Sequence, residues 1–254
     1  MRYRPEIDGL RAIAIVPVVL FHTGMPLIHG GYVGVDIFFV ISGFLITQTI
    51  VGDENFSPMD RIARFYERRI RRIIPALILV VATTLAVGLG LLLPTELMQL
   101  AKSAIATALF TSNFWFWSQL GYFAGAAESM PLLHTWSLAV EEQFYIVFPL
   151  VMILIGMQRR ATQQATIALL AIVIFILSVY LTARSPGVAF YWPTRAWELL
   201  VGAGLALIET RFLPMREVVS IAGSTAIIVS FFTFDRMTPF PGYAALAPCL
   251  APRR

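Results

Sequence analysis

The sequence contains little charge. Only 13% of its 254 residues are Asp, Glu, Lys or Arg and 58% are hydrophobic, whereas soluble domains carry about 25% charged residues. Such a chain cannot cover a water-facing surface with polar groups, so its natural surroundings are lipid. Cysteine is almost absent, and the single Cys249 excludes an intrachain disulfide and a cysteine-rich metal site. The glycine-rich phosphate loop of nucleotide-hydrolysing enzymes is also missing, which argues against that class.

Seven apolar segments reach or approach the length of a membrane span. A helix needs about 20 apolar residues to cross about 30 Å of hydrocarbon. The segments are Leu10–Ile28, Tyr32–Ile50, Ile73–Leu93, Ser137–Met157, Ile167–Leu181, Thr194–Ile208 and Val218–Phe234, and the start of an eighth is Tyr243–Ala251. The first lacks a clear signal-peptide cleavage site and is predicted to be retained. The predicted fold class is therefore all-α, a polytopic transmembrane helix bundle of about seven complete spans plus the start of an eighth.

The distribution of arginine predicts the orientation. Cytoplasmic loops of membrane proteins carry an excess of Lys and Arg. If the N-terminus is cytoplasmic and the apolar stretch Leu97–Trp117 does not cross, 13 of the 19 basic residues fall on the cytoplasmic side. These are Arg2, Arg4, Arg11, Arg61, Arg64, Arg68, Arg69, Arg71, Arg72, Arg159, Arg160, Arg211 and Arg216. We therefore predict a cytoplasmic N-terminus and an outward-side interfacial or re-entrant element at Leu97–Trp117. The net charge of +4 then reflects topology, and we expect no nucleic acid as a partner.

Ionisable side chains inside predicted spans are functional candidates, because each is costly in hydrocarbon unless it is paired. Arg11 and His22 are 11 residues apart, so they share a helix face, with His22 about 16 Å deeper and near the middle of the bilayer. Asp36 on the next span would differ from His22 in depth by about 6 Å, so a contact is feasible. His22 could accept a proton near neutral pH while Asp36 fixes its tautomer. The alternative is a packed histidine bonded to a backbone carbonyl.

Six arginines occur within the twelve residues Arg61–Arg72. They could anchor the topology and attract anionic lipid. They could equally form a phosphate site, because the guanidinium group matches phosphate oxygens with two parallel hydrogen bonds. Arg69 and Arg72 are three residues apart and would share one helix face.

Two further motifs carry charged residues at the start of predicted spans. In Leu133–Tyr145, Glu141 and Glu142 either interact with the dipole of a helix capped by Ser137 or supply an acid or a hydroxyl-binding group. In the second motif, Tyr191–Glu198, Arg195 and Glu198 are three residues apart and are able to pair. In the segment Pro94–Pro131, which precedes both motifs, the aromatic residues predict either a membrane-interface belt or a stacking surface for a sugar. They are Trp115, Trp117, Tyr122 and Phe123.

Taken together, five ordered segments resemble the acyltransferase-3 family of integral membrane O-acyltransferases, which includes O-antigen acetylases. They are Tyr3–Ala12 leading to His22, Gly30–Ile46, Phe65–Pro75, His134–Tyr145 and Tyr191–Leu199. The resemblance implies transfer of an acyl group, usually acetyl, from cytoplasmic acyl-CoA to a hydroxyl of an envelope carbohydrate such as lipopolysaccharide. It also implies a multi-pass protein of the cytoplasmic (inner) membrane.

The resemblance assigns expected roles to residues. The family's arginine and histidine fall on Arg11 and His22, and its basic-loop arginines on Arg69 and Arg72. The predicted catalytic residues are His22, Asp36, Glu141 and Glu142. The predicted acyl-CoA-binding residues are Arg11, Arg69 and Arg72. The predicted substrate-binding residues are His134, Trp136, Tyr145, Trp192, Arg195 and Glu198. His22 would deprotonate the acceptor or carry the acyl group transiently. Acetyl-CoA is the expected donor, an envelope carbohydrate and the bilayer are the other partners, and no metal is expected.

The chain departs from the family in length. The family core usually has more spans, so residues 1–254 are expected to be a C-terminally incomplete membrane acyltransferase core. Two other functions fit a bundle with buried polar groups. One is a polytopic transporter or flippase of envelope precursors, and the other is an inactive fragment or partner subunit.

Overall fold

The computed structural model describes residues 5–25, 28–52, 57–119, 130–156, 159–184, 187, 191–208, 216–235, 238, 241 and 243–249. Within this part of the chain the structure is helical and contains no strand, as predicted. The helices are α1 (Pro5–His22), α2 (Gly34–Val51), α3 (Pro58–Leu91), α4 (Pro94–Ala108), α5 (Ser112–Gln119), α6 (Thr135–Gly156), α7 (Arg160–Thr182), α8 (Trp192–Leu207), α9 (Arg216–Thr233) and α10 (Leu246–Cys249). Of the residues discussed above, Arg2, Arg4, Tyr122, Phe123 and Arg211 lie outside the described ranges.

Seven of these helices, α1 to α3 and α6 to α9, overlap the seven predicted apolar segments, although α1 and α3 have different bounds. Four helical stretches are long and apolar enough to cross a membrane: Gly31–Val51, Met59–Leu91, Thr135–Gly156 and Arg160–Thr182. The chain is therefore a multi-pass membrane protein. Helices α4 and α5 have 15 and 8 residues, so neither reaches the length of about 20 residues that a span requires.

Helix α1 ends at His22, although the apolar segment was predicted to continue to Ile28. Gly24 follows in the left-handed conformation, with φ of 76°. Its N–H donates to the carbonyl of Phe21 at 3.1 Å, and the N–H of Met25 donates to the carbonyl of Leu20 at 3.3 Å. These two bonds form the Schellman motif, which ends a helix at a glycine. The predicted continuation of this helix to Ile28 is therefore wrong, because His22 is the last residue of α1. The predicted depth of His22 near the middle of the bilayer stays a prediction.

Helix α3 combines the arginine segment and the third apolar segment in one continuous helix of 34 residues. Its length is about 51 Å, which exceeds the hydrocarbon thickness of about 30 Å. Ser57 caps the helix, because its hydroxyl accepts the backbone N–H of Asp60 at 3.2 Å. The arginines thus lie on a helix and not in a loop.

The chain divides into two compact units, residues 1–52, 155–189 and 193–254 in the first, and residues 53–154 and 190–192 in the second. One buried cluster in the first unit consists of Ala14, Val33, Ile37, Ile41, Ile227 and Phe231. The second unit has a buried cluster of Leu100, Ala104, Phe116 and Leu132.

Within the first unit, α2 and α8 approach each other through glycine. The face of Gly43 lies on the backbone carbonyl of Leu199, and the face of Gly202 lies on the carbonyl of Val40, with no room for a Cβ atom at either glycine. Small residues of this kind allow close helix packing in membranes. Gly43 and Gly202 each lie seven residues after a charged side chain, Asp36 and Arg195 respectively, and these two side chains are paired. The two helices therefore run in the same general direction.

Candidate active site

Three charged side chains, Asp36, Arg195 and Glu198, form a buried group that we call the α2–α8 triad. Nη1 of Arg195 lies 2.6 Å from Oδ1 of Asp36 and 3.0 Å from Oε1 of Glu198. The side chain of Arg195 is 4% exposed and the two carboxyl groups are fully buried. The predicted pairing of Arg195 with Glu198 is confirmed. The predicted substrate-binding role of this pair stays a prediction, since Arg195 binds both Glu198 and Asp36 within the buried triad.

The predicted contact between Asp36 and His22 is wrong. Asp36 binds Arg195, 159 residues away in the sequence, and the ring of His22 binds the carbonyl of Val18. A buried carboxylate gains more from a guanidinium group than from a neutral imidazole, because the guanidinium group carries a full compensating charge. Asp36 is therefore committed to the ion pair.

His22 is exposed at the end of α1, where its Nδ1 lies 2.8 Å from the carbonyl oxygen of Val18. A carbonyl only accepts hydrogen bonds, so Nδ1 must carry the proton and Nε2 must carry the lone pair of the neutral ring. The backbone thus performs the orienting role that was expected of Asp36. Three turns earlier on the same helix, the Arg11 guanidinium lies 3.6 Å from Asp8 and 5.9 Å from the ring centre of Phe38.

The second unit contains a separate polar group, the α3–α6 cluster, formed by Arg69, Glu141, Glu142 and Tyr145. The Arg69 guanidinium lies 4.3 Å from the ring centre of Tyr145 and 4.0 Å from Oε1 of Glu141. The hydroxyl group of Tyr145, which is fully buried, donates a hydrogen bond to Glu141. A hydrogen-bonded carboxylate beside a stacked arginine is a preorganised arrangement of charge.

The two glutamates of this cluster differ in their surroundings. Glu141 is buried and is held by Tyr145 and Arg69. Oε1 of Glu142 is also buried, yet within the described residues it has no hydrogen-bond partner. A buried oxygen without a donor is costly and is a common feature of functional sites. Ser137 does not cap α6, which begins at Thr135, and the Ser137 hydroxyl donates instead to the carbonyl of His134 at 3.1 Å.

The other residues that were predicted to bind acyl-CoA or the substrate lie at helix ends or on helix surfaces. Arg72 is exposed on α3, three residues after Arg69, which is 15% exposed. His134 is exposed in the turn before α6, while Trp136 and Trp192 are half-buried. Their binding roles stay predictions.

Several residues of the second unit were missed by the reasoning from sequence. The Tyr66 hydroxyl donates to the carbonyl of Tyr145 at 2.8 Å and so fixes α6 on α3. The amide of Gln143 donates to Asn113 and to the carbonyl of Phe110, both at 2.8 Å. The sequence feature that could have identified these residues is their position inside, or next to, the five segments that carry the family resemblance. A polar residue directly beside a catalytic candidate is a candidate for holding it in position.

The aromatic segment contributes one ring pair. Trp117 and Tyr191 have ring centres 5.2 Å apart, and Trp117 is 40% exposed. Both an interface belt and a sugar-stacking surface fit this pair, so the two alternatives from the sequence remain open.

Comparison with known proteins supports an acyltransferase. Residues 4–251 match the family model described as an acyltransferase domain. O-acetyltransferase OatA of Staphylococcus aureus is 34% identical over an alignment of 246 residues that covers 91% of this chain and 40% of that protein. Peptidoglycan O-acetyltransferase OatA of Listeria monocytogenes is 33% identical over an alignment of 240 residues that covers 89% of this chain and 38% of that protein. YrhL of Bacillus subtilis is 38% identical over an alignment of 219 residues that covers 82% of this chain and 33% of that protein.

The chain thus spans less than half the length of these curated relatives. No solved structure matches it significantly. The family model covers all five segments on which the resemblance was based, apart from the first residue of the first segment. This ordered match over nearly the whole sequence, together with the multi-pass helical fold, establishes that the chain belongs to the acyltransferase-3 family.

Proposed function

We propose that this chain is the membrane part of an O-acetyltransferase and lies in the cytoplasmic membrane. The enzyme moves an acetyl group from acetyl-CoA to a hydroxyl group of peptidoglycan. The observation that carries the proposal is on α3, where Arg69 belongs to the α3–α6 cluster and the exposed Arg72 follows three residues later, a spacing that places both on one helix face. The names of the relatives support the reaction and the acceptor. They favour peptidoglycan over the lipopolysaccharide that the resemblance suggested.

The two arginines take different parts in binding the donor. Arg72 is exposed, and among the described residues no ion pair engages it, so its guanidinium group is available for a phosphate of acetyl-CoA. Arg69 is held over the Tyr145 ring and next to Glu141. It contributes charge to the site and positions Glu141. Glu142, whose buried oxygen accepts no hydrogen bond from the described residues, would accept one from a substrate hydroxyl.

His22 is the residue that we assign to proton transfer. Acetyl-CoA is a thioester, so attack of the acceptor hydroxyl on its carbonyl carbon forms the C–O bond of the ester and breaks the C–S bond. The CoA thiolate leaves and takes up the proton that the base removed from the hydroxyl. Because the Val18 carbonyl holds the proton on Nδ1, Nε2 of His22 is the atom that can take the hydroxyl proton. Exposure at the end of α1 keeps this atom accessible. Asp36 has no direct part in this step.

The proposed orientation has the N-terminus in the cytoplasm. Helices α2 and α8 run in the same direction, which requires an odd number of crossings between them. Helices α3, α6 and α7 supply three crossings if α4 and α5 add none. The short lengths of α4 and α5 support this count.

Donor binding is tested by thermal unfolding of the purified chain in detergent. Acetyl-CoA at about 100 times its Kd should stabilise the protein by about 2.7 kcal/mol. Arg72→Gln should weaken binding about 10-fold to 100-fold, because a hydrogen bond to a charged group contributes about 1.5–3 kcal/mol.

The matched control is Arg71→Gln. Arg71 is the adjacent residue and is 78% exposed, but it is paired with Glu67 at 2.9 Å. Its loss removes the same charge from the same helix without touching the proposed site. Equal weakening by Arg71→Gln and Arg72→Gln would point to diffuse attraction of a polyanion. A chain that acetyl-CoA does not stabilise at any concentration would contradict the proposed donor.

The acceptor is tested by mass spectrometry of muropeptides from cells with the intact gene and with His22→Ala. We expect O-acetylated muropeptides only with the intact gene. Acetyl groups found instead on another envelope glycan would redirect the proposal to that acceptor, and unchanged acetylation by His22→Ala would remove His22 from the reaction.

A further inference from the structure

The α2–α8 triad contains two oxygen atoms that the ion pairs do not use. Arg195 binds Oδ1 of Asp36 and Oε1 of Glu198. The second oxygens, Oδ2 of Asp36 and Oε2 of Glu198, are buried and receive no hydrogen bond from any described residue. The two carboxyl groups are nevertheless neighbours, because Oδ1 of Asp36 and Oε1 of Glu198 lie 2.6 Å and 3.0 Å from the same Nη1 atom of Arg195. Two oxygens that both only accept cannot bond to each other without a proton between them.

The charges of the triad are also unbalanced. Within the described residues, Arg195 is the only cationic side chain that contacts Asp36 and Glu198. Two other titratable side chains belong to segments next to these helices, and neither supplies a positive charge. Tyr32, on the turn before α2, donates its hydroxyl to the carbonyl of Asp235, and Cys249, on α10, packs with Val40 of α2 and Trp197 of α8. If both carboxyl groups were ionised, the group would carry a net negative charge without exposure to solvent. An uncompensated buried charge is strongly destabilising.

We propose that the triad is a proton-binding site, in which one proton is shared between Oδ2 of Asp36 and Oε2 of Glu198. The proton supplies the missing hydrogen-bond donor and makes the group electrically neutral, with one carboxylate balancing Arg195. The site joins two helices that have no space for other side chains at their contact, Gly43 against Leu199. The bound proton therefore stabilises the contact between α2 and α8. This site is distinct from the proposed donor site, which lies in the other unit, and it does not depend on the proposed function.

The proposal makes a prediction about charge that distinguishes it from a simple ion-pair network. In Asp36→Asn, or in Glu198→Gln, the amide N–H₂ group replaces the shared proton as donor, and the remaining carboxylate balances Arg195. Each single variant should therefore unfold within a few degrees of the parent. The double variant Asp36→Asn/Glu198→Gln leaves Arg195 buried without a counter-charge and should lower Tm by about 10 °C.

The pH dependence gives a second readout. The free energy of unfolding of the parent should fall as the pH rises, because removal of the shared proton leaves the triad with a net negative charge that is buried. Each single variant lacks this proton, so its Tm should not show that loss. Arg195→Gln leaves two carboxyl groups without a cation, and it should be unstable at neutral pH and regain stability when acid protonates both groups.

Infrared spectroscopy of the parent tests the proton directly, even if a variant fails to fold. The parent in detergent should show the C=O stretch of a buried protonated carboxyl group at neutral pH, and Glu198→Gln should lack it. Glu67→Gln, an exposed glutamate paired with Arg71, is the control and should leave the band unchanged. The proposal is overturned if the parent shows no such band, or if the double variant is as stable as either single variant.

Discussion

The close contact of α2 with α8 predicts that Gly43→Ala is strongly destabilising. The added Cβ would overlap the backbone carbonyl oxygen of Leu199, and backbone atoms cannot turn aside as a side chain can. Relief requires the two helices to move apart by about 1 Å. The same movement would lengthen the contact between Arg195 and Asp36, now 2.6 Å, to about 3.6 Å, which is beyond hydrogen-bonding distance.

These effects can be added. Overpacking of a close contact costs about 2 kcal/mol, and the weakened charged hydrogen bond costs about 2 kcal/mol. Replacement of glycine by alanine within a helix raises the free energy of unfolding by about 1 kcal/mol. Gly43→Ala should therefore lower the free energy of unfolding by about 3 kcal/mol. Equilibrium unfolding of the purified chain in mixed detergent micelles measures this quantity.

Two further variants make the test specific. Gly90→Ala on α3 is the control, because a Cβ at Gly90 meets nothing within 4 Å, and it should be neutral or stabilising. In the double variant Gly43→Ala/Gly202→Ala, one separation of the helices relieves both overlaps, so the combined cost should be less than the sum of the single costs. If Gly43→Ala is as stable as Gly90→Ala, the described approach of the two backbones is incorrect.

Two other predictions concern the second unit. Tyr145→Phe removes the hydroxyl that donates to buried Glu141 and should lower the free energy of unfolding by about 1–3 kcal/mol. The control Tyr243→Phe, at a residue 66% exposed, should have little effect. Equal effects of the two variants would show that the Tyr145 hydroxyl is dispensable. Gln143→Met keeps the side-chain length but leaves the carbonyl of Phe110 without its donor, so a loss of about 1–3 kcal/mol is expected in the same unfolding assay, and an unchanged stability would refute the role of this amide.

The helices could be predicted from the sequence because a span is a local property. A run of about 20 apolar residues fixes a helix wherever its neighbours lie, so the seven apolar segments each overlap a helix. The end of α1 was missed because the apolar run continues past it. The signal was present in Gly24, since a glycine after an apolar helix commonly ends it.

The pairing of helices could not be predicted in the same way. Asp36 and Arg195 are 159 residues apart, and nothing in either segment says that α2 lies on α8. The prediction joined Asp36 to His22 because their helices are adjacent in the sequence. Arg195 and Glu198 were paired correctly because residues three apart on a helix are neighbours. Glu141 is held by Tyr145, four residues later on the same helix, and by Arg69 of α3. The first contact is local and could be expected from the spacing, whereas the second depends on the packing of α6 on α3.

The unbroken course of α3 ties the arginine segment to the apolar half of the helix in a fixed register. Insertion of one residue between Arg72 and Leu77 would turn one half against the other by about 100°. The protein could then keep Arg69 over the Tyr145 ring or keep Leu77 buried, but not both. Spacing along this helix is therefore constrained as strictly as the identity of its arginines.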